Sequence, residues 1–212
     1  MFSRVLFQMK WQFNHGTETQ VEFQTDENGN CLVVAAQDVP AGSSLRFTYA
    51  DPTNPSHIFA RYGFLDESSP ATFCKIMLDP TPELVAMGYD HSKMLFYKDT
   101  GDVSSEVWDI LLYHTVLGDG DQPGNRDQQA VFYQAHVNGD YATKEAMHNQ
   151  YSAATVQALL IHIDNFLKEL EYLTDMAADR DLNTHPRLPL LQRHNAFVKD
   201  TFLNVRAKLM EY

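Results

Sequence analysis

"FNHGTETQVEFQTDENGNCLVVAAQDVPAGSSLRFTYADPTNPSHIFARYGF", residues 13–64, is the stretch whose reading decides the fold. Val21 and Phe23 alternate up to Asn28-Gly29, a pair that tolerates the positive φ of a tight hairpin turn, and a β-branched run follows; the pattern predicts a β-hairpin. Pro40-Ala41-Gly42 breaks the second strand. Leu45, Phe47 and Tyr49 then share one face of a third strand by the period of two, which puts Tyr49 at that strand's end on its apolar side. Asp51-Pro52-Thr53-Asn54-Pro55 is turn chemistry, and Ser56 to Tyr62 reads as a short helix closing on Gly63, a residue that accepts the left-handed conformation.

Outward from this stretch the pattern changes. "TFCKIML" reads as one more strand. From Thr81 onwards the composition is helical, in "DVSSEVWDILLYHTVL", "QQAVFYQAHV", "SAATVQALLIHIDNFLKELEYLTDMAADRD" and a last segment that starts at the prolines of "HPRLPLLQRH". In the long segment Val156, Leu159, Leu160, Ile163, Phe166, Leu167, Leu170 and Leu173 recur at intervals of three and four, so one stripe is expected to pack on a core. These readings give an α+β protein, with a small β unit over residues 1–79 and an all-helical domain over residues 80–212.

Bulk properties exclude several classes. The chain has 212 residues, 44% of them hydrophobic, enough for one sizeable core or two small ones. A formal charge of −12 argues against a nucleic-acid backbone as partner, because that partner calls for a basic surface. A lysine-rich protein segment suits an acidic chain better. Cys31 and Cys74 are too few for a disulfide framework and form no CxxC pair, which points to a reducing compartment. No apolar run reaches bilayer-spanning length, so an intracellular, soluble protein without membrane attachment is expected. The nine histidines show no HExxH spacing. Residues 119–130 imitate a calcium loop but place Pro123 and Ala130 where oxygen ligands are required, so no metal site is expected.

Four separated pieces carry a family likeness: Asn14-His15, then Gly42 to Tyr49, then Asn54, then Tyr62-Gly63-Phe64. In this order they resemble the C-terminal half of a SET domain, closest in wording to the group of the Rubisco large-subunit lysine methyltransferase and its actin-histidine methyltransferase relatives. The likeness covers residues 2–79; beyond it the helical region is similar in architecture to that group's substrate-binding domain. It departs from the family at Trp11, where an acidic residue is usual, and at Gly16, where Ser or Thr is usual.

The resemblance implies transfer of a methyl group from S-adenosylmethionine to a side-chain nitrogen of a protein, lysine first and histidine second. It implies that Tyr49 and Tyr62 are catalytic, with the Tyr49 hydroxyl beside the transferred methyl and Tyr62 as channel wall. Asn14 and His15 match the pair that contacts the cofactor. Two lone tyrosines would otherwise be read as amphipathic core residues, and a lone Asn-His as a turn. The family's Gly-rich N-terminal half does not precede Met1, so the chain is expected to be truncated relative to the family and inactive alone. The rival expectation is a non-catalytic module that keeps the protein-docking helices.

Overall fold

The computed structural model describes residues 13–49, 55–76, 81–118 and 124–211. Trp11, the turn at residues 51–54, the end of "TFCKIML" and residues 119–123 of the calcium-like loop lie outside them. Two compact units divide the chain, Met1–Ser69 and Pro70–Tyr212. The architecture is α+β, with short strands in the first unit and long helices in the second.

In the first unit, β1 (Asn14–His15) pairs in parallel with β4 (Arg46–Phe47), and β2 (Val21–Thr25) pairs antiparallel with β3 (Cys31–Ala35). The hairpin forms as the alternation predicts, but its loop is wider than a two-residue turn. Thr25 faces Cys31, and Asp26 closes the loop by accepting from the backbone N–H of Asn28 and of Asn30. Of the turn pair, Gly29 alone takes a positive φ, 81°. An aspartate bonding its own following backbone replaces the mirror-image turn.

The third strand is shorter than the period of two suggests. It ends at Phe47, Leu45 is 40% exposed, and Tyr49 lies beyond the strand. Side chains take over the ladder there: the Thr48 hydroxyl donates to the Gly16 carbonyl at 2.9 Å, and the Tyr49 N–H donates to His15 Nδ1 at 3.3 Å. Gln20 ties hairpin to ladder, since its N–H donates to the Arg46 carbonyl at 3.0 Å and its carbonyl accepts from the Ala36 N–H at 2.9 Å. Phe23 stands edge-on to Phe13 and Phe47, with centroids 5.7 and 5.2 Å away. A short helix, α1 (Pro55–Tyr62), closes on Gly63 at φ 74°.

The second unit begins with a strand pair, whose first member overlaps the expected strand "TFCKIML" at Thr72 and Phe73 and whose second member the helical pattern hides. β5 (Ala71–Phe73) pairs antiparallel with β6 (Leu95–Tyr97). Helix α2 (Pro82–Ala86) lies between them, N-capped by Thr81. Helix α3 (Ser105–Ile110) runs on into a wide π-helical turn over Leu111–Val116, whose far end is marked by the Leu117 N–H donating to the Leu112 carbonyl. Then come α4 (Asn125–Val137), α5 (Tyr141–Ala178) and α6 (Leu188–Leu209).

Helix α5 is 38 residues long and starts upstream of the periodic stripe, where the Asp140 carboxylate accepts from the Thr143 N–H. Its buried positions are Met147, Thr155, Leu159, Ile163 and Leu170, while Leu173 at the end of the expected stripe is 49% exposed. Helix α6 buries His194, Phe197, Val198, Thr201, Phe202, Val205 and Leu209, one stripe at three- and four-residue steps. Phe202 meets Phe166 of α5 at 4.3 Å and Phe96 of β6 at 4.8 Å between centroids, so helix pair and strand pair share one core. His162 adds a polar tie, donating from Nε2 to the Cys74 carbonyl at 2.8 Å. Burial pushes the Cys74 thiol up to about 12, which keeps it protonated and unreactive. Among the described residues no helix is long and apolar enough to cross a membrane.

Candidate functional site

The short elements of the first unit bring three separate pieces of chain to one aromatic cluster. β1 delivers His15, the chain just past β4 delivers Tyr49, and the end of α1 delivers Tyr62 and, past Gly63, Phe64. The Tyr49 ring is 4.8 Å from Tyr62 and 5.4 Å from His15, and Phe64 lies 5.4 Å from His15 and 6.3 Å from Tyr62, all between centroids. Gly63 makes the assembly possible, because its left-handed backbone turns the chain sharply between the two rings on either side of it.

His15 is the hub, and its chemistry is fixed by its neighbours. Nδ1 accepts the Tyr49 N–H, so Nε2 is the nitrogen that bonds Asp66, at 3.0 Å. Both side chains are largely covered, 8% and 12% exposed. Burial pushes the Asp66 carboxyl up, but hydrogen bonds from Ser68 and His15 outweigh it and hold the group below its ordinary value. A charged carboxylate therefore stands behind the imidazole. The Tyr49 hydroxyl donates to the Phe13 carbonyl, so ring and main-chain oxygen lie side by side. Arg61 stacks its guanidinium 5.7 Å from the Tyr62 centroid.

Of the four residues singled out from sequence, His15, Tyr49 and Tyr62 are brought together. Asn14 is exposed on β1, paired with Arg46, and takes no part in the ring cluster. Gly16 is fixed by close packing: a Cβ there would lie 2.9 Å from Arg46 Cβ, so the parallel β1–β4 approach leaves no room for a side chain. Sequence reasoning missed Asp66, which sits in "LDESSP" and looks like ordinary turn chemistry; its link to His15 spans 51 positions. Among the described residues no group of histidine, cysteine or carboxylate side chains is arranged to hold a metal ion. Set against protein-family models, curated proteins and solved structures, the chain matches none.

Proposed function

We propose that the chain is the C-terminal part of a SET-type protein methyltransferase that carries a methyl group from S-adenosylmethionine to a protein side-chain nitrogen, lysine before histidine. The observation that carries this reading is the convergence of His15, Tyr49, Tyr62 and Phe64 on one cluster. Methyl transfer to nitrogen needs a neutral amine in line with the methyl carbon, and a channel of rings and carbonyl oxygens favours that form by desolvation and fixes its direction. The amine lone pair forms the new N–C bond, the S–C bond breaks with its pair left on sulfur, and the proton lost from nitrogen passes to solvent. The cofactor, when bound, supplies the sulfonium methyl.

The residues present fit parts of that task. Asn14 has an exposed amide available to a bound cofactor. The two ring nitrogens of His15 are engaged by Tyr49 and Asp66, which makes the imidazole the positioning group of Tyr49. A basic segment of a protein is the substrate that an acidic chain suits. The second reading, a protein-binding module without methyl transfer, draws support from the Tyr49 hydroxyl being already committed to the Phe13 carbonyl.

The test is transfer of label from methyl-tritiated S-adenosylmethionine to a lysine-rich protein, with the chain supplied alone and joined to the Gly-rich N-terminal half of a family member. The joined form is expected to transfer label, and Tyr49→Phe should keep the fold and lower turnover by roughly ten- to a thousandfold. Transfer that ignores Tyr49→Phe would remove the catalytic assignment. Absence of transfer in both forms would leave the binding module as the function.

A further inference from the structure

The helical unit holds a second polar cluster, unrelated to the rings of the first. Asp109 on α3 is buried, 8% exposed, and accepts three hydrogen bonds: from the Tyr89 hydroxyl, from Lys144 Nζ at 2.7 Å and from His148 Nε2 at 2.7 Å. Burial pushes its carboxyl up, but the bonds from His148, Lys144 and Tyr89 prevail and hold it below the ordinary carboxylate range. His136 extends the network. Its Nε2 donates to the Met87 carbonyl at 2.9 Å, so its Nδ1 accepts from Lys144 Nζ, 3.3 Å away.

Proton positions follow around the whole cluster. In its neutral form His148 donates from Nε2 to Asp109 and keeps the lone pair on Nδ1, an atom that meets no donor among the described residues. That atom belongs to a residue lining a pocket of about 680 Å³, a volume within the range of ligand sites. The pocket's walls include Trp108 and Tyr141, whose rings stack on no other ring among the described residues; Tyr141 is 80% exposed. Glu145, one helical turn from His148 on α5, also lines it, and its carboxylate has no partner among the described residues. Among the described residues Lys144 is the one lysine or arginine of the lining, and Asp109 neutralises it. The excess charge of the pocket is therefore negative, and the acceptor that Asp109 orients has one lone pair to offer.

We propose that this pocket binds the primary ammonium of a lysine side chain presented by a protein. One ammonium N–H donates to His148 Nδ1, the charge faces Glu145, and the methylene stem lies against the rings of Trp108 and Tyr141. A single acceptor suits the compact ammonium better than a guanidinium, whose planar fork calls for a matching two-oxygen acceptor. The site stands on the helical unit alone and does not depend on the methyltransferase reading.

Trp108 supplies the signal, as one of two tryptophans in the chain, and Trp11→Phe leaves it alone in the spectrum. In that background a capped alanine peptide with one central lysine should change the Trp108 fluorescence saturably. The same peptide with norleucine in place of lysine should not, and butylamine should bind more weakly than the lysine peptide. Glu145→Gln, a change at an exposed and unpaired side chain, should weaken lysine-peptide binding roughly two- to fivefold. Long-range nitrogen NMR should show the His148 Nδ1 resonance moving as the peptide saturates, a response that a purely structural histidine would not give. Equal responses to the norleucine and lysine peptides, or an unmoved Nδ1 resonance at saturation, would overturn the site. Butylamine binding as tightly as the peptide would overturn the protein source and leave free amines as the ligand.

Discussion

Among the described residues, Val21 and Ile58 are the first unit's buried hydrophobic side chains, whereas in the second unit buried apolar side chains line α2 through α6 and reach both strands of its sheet. The first unit holds its shape through specific polar ties, such as Thr48 to Gly16, Gln20 to Arg46 and His15 to Asp66, set among ring contacts. In the second, long stripes bury one another and the polar ties are additions. A typical hydrogen bond contributes about 1 kcal/mol net, while full burial of a Phe or Leu side chain contributes about 1.5–3 kcal/mol. Among the described residues, the candidate rings are held by hydrogen bonds and ring contacts, and the second unit is held by buried apolar stripes.

The hardest blow to this contrast would be struck at Phe202. It is fully buried between Phe96 and Phe166, so Phe202→Ala is expected to destabilise the second unit by about 3–5 kcal/mol. Chemical denaturation followed by far-UV circular dichroism measures it. A loss under about 1 kcal/mol would mean that the stripes do not carry the second unit's stability.

A smaller effect is expected at Gly16, where the first unit's strands meet. Gly16→Ala places a Cβ against Arg46 Cβ on the neighbouring strand and should destabilise the ladder by about 1–3 kcal/mol. Hydrogen exchange reads the result: faster exchange at the Arg46 and Gln20 amides, with α5 and α6 unchanged. Unaltered exchange there would show that the ladder has slack which the packing denies.

Acid sharpens the contrast most gently. Burial, opposed by the Cys74 carbonyl, holds His162 below its ordinary 6.5, and burial with the nearby Lys75 charge does the same to His194. The unfolded chain therefore binds protons more readily than the folded one at these two sites. Their contribution to stability is complete above 6.5 and is lost as pH falls from there through the folded values. Asp66 and Asp109, lowered from 3.8, withdraw their contribution only below that value. Lowering the pH from about 7.5 to about 5.5 should lower the second unit's Tm by a few degrees, and His162→Gln should remove part of that change. A Tm that rises on acidification would reverse the sign and refute the burial account.

Much of this was legible in the sequence where a pattern is local. The alternation of Val21 and Phe23, the closure of α1 on Gly63, the three-and-four spacing of α5 and the prolines that open α6 are all short-range signals, and the elements stand where those signals lie. Leu95–Tyr97 was hidden because three residues are too few to display a period, and its partner β5 lies on the far side of α2. The start of α5 at Tyr141 had a usable sign in Asp140, a good N-cap residue, which hydrophobic periodicity overlooks. For the first site, the string around Tyr49 and Tyr62 pointed at the rings, but nothing local links His15 to Asp66. The Asp109 cluster shows the same limit: Lys144 and His148 stand one turn apart on α5, while the carboxylate they share lies 35 and 39 positions away.

The wide turn at Leu111–Val116 has a meaning for how this chain tolerates changes of length. A π-helical turn absorbs one residue more than an α-helix would hold in the same rise. Removing one residue from it would restore regular winding with the flanking turns still in phase, whereas removing one from the regular helix beside it would turn everything on one side by about 100° relative to the other. Asp109 lies just before the turn and Leu117 just after it, so carboxylate and core leucine keep their bearings when the extra residue is dropped from between them. The six residues act as slack, and descendants of this chain that drop one of them should keep both the Asp109 cluster and the burial of Leu117.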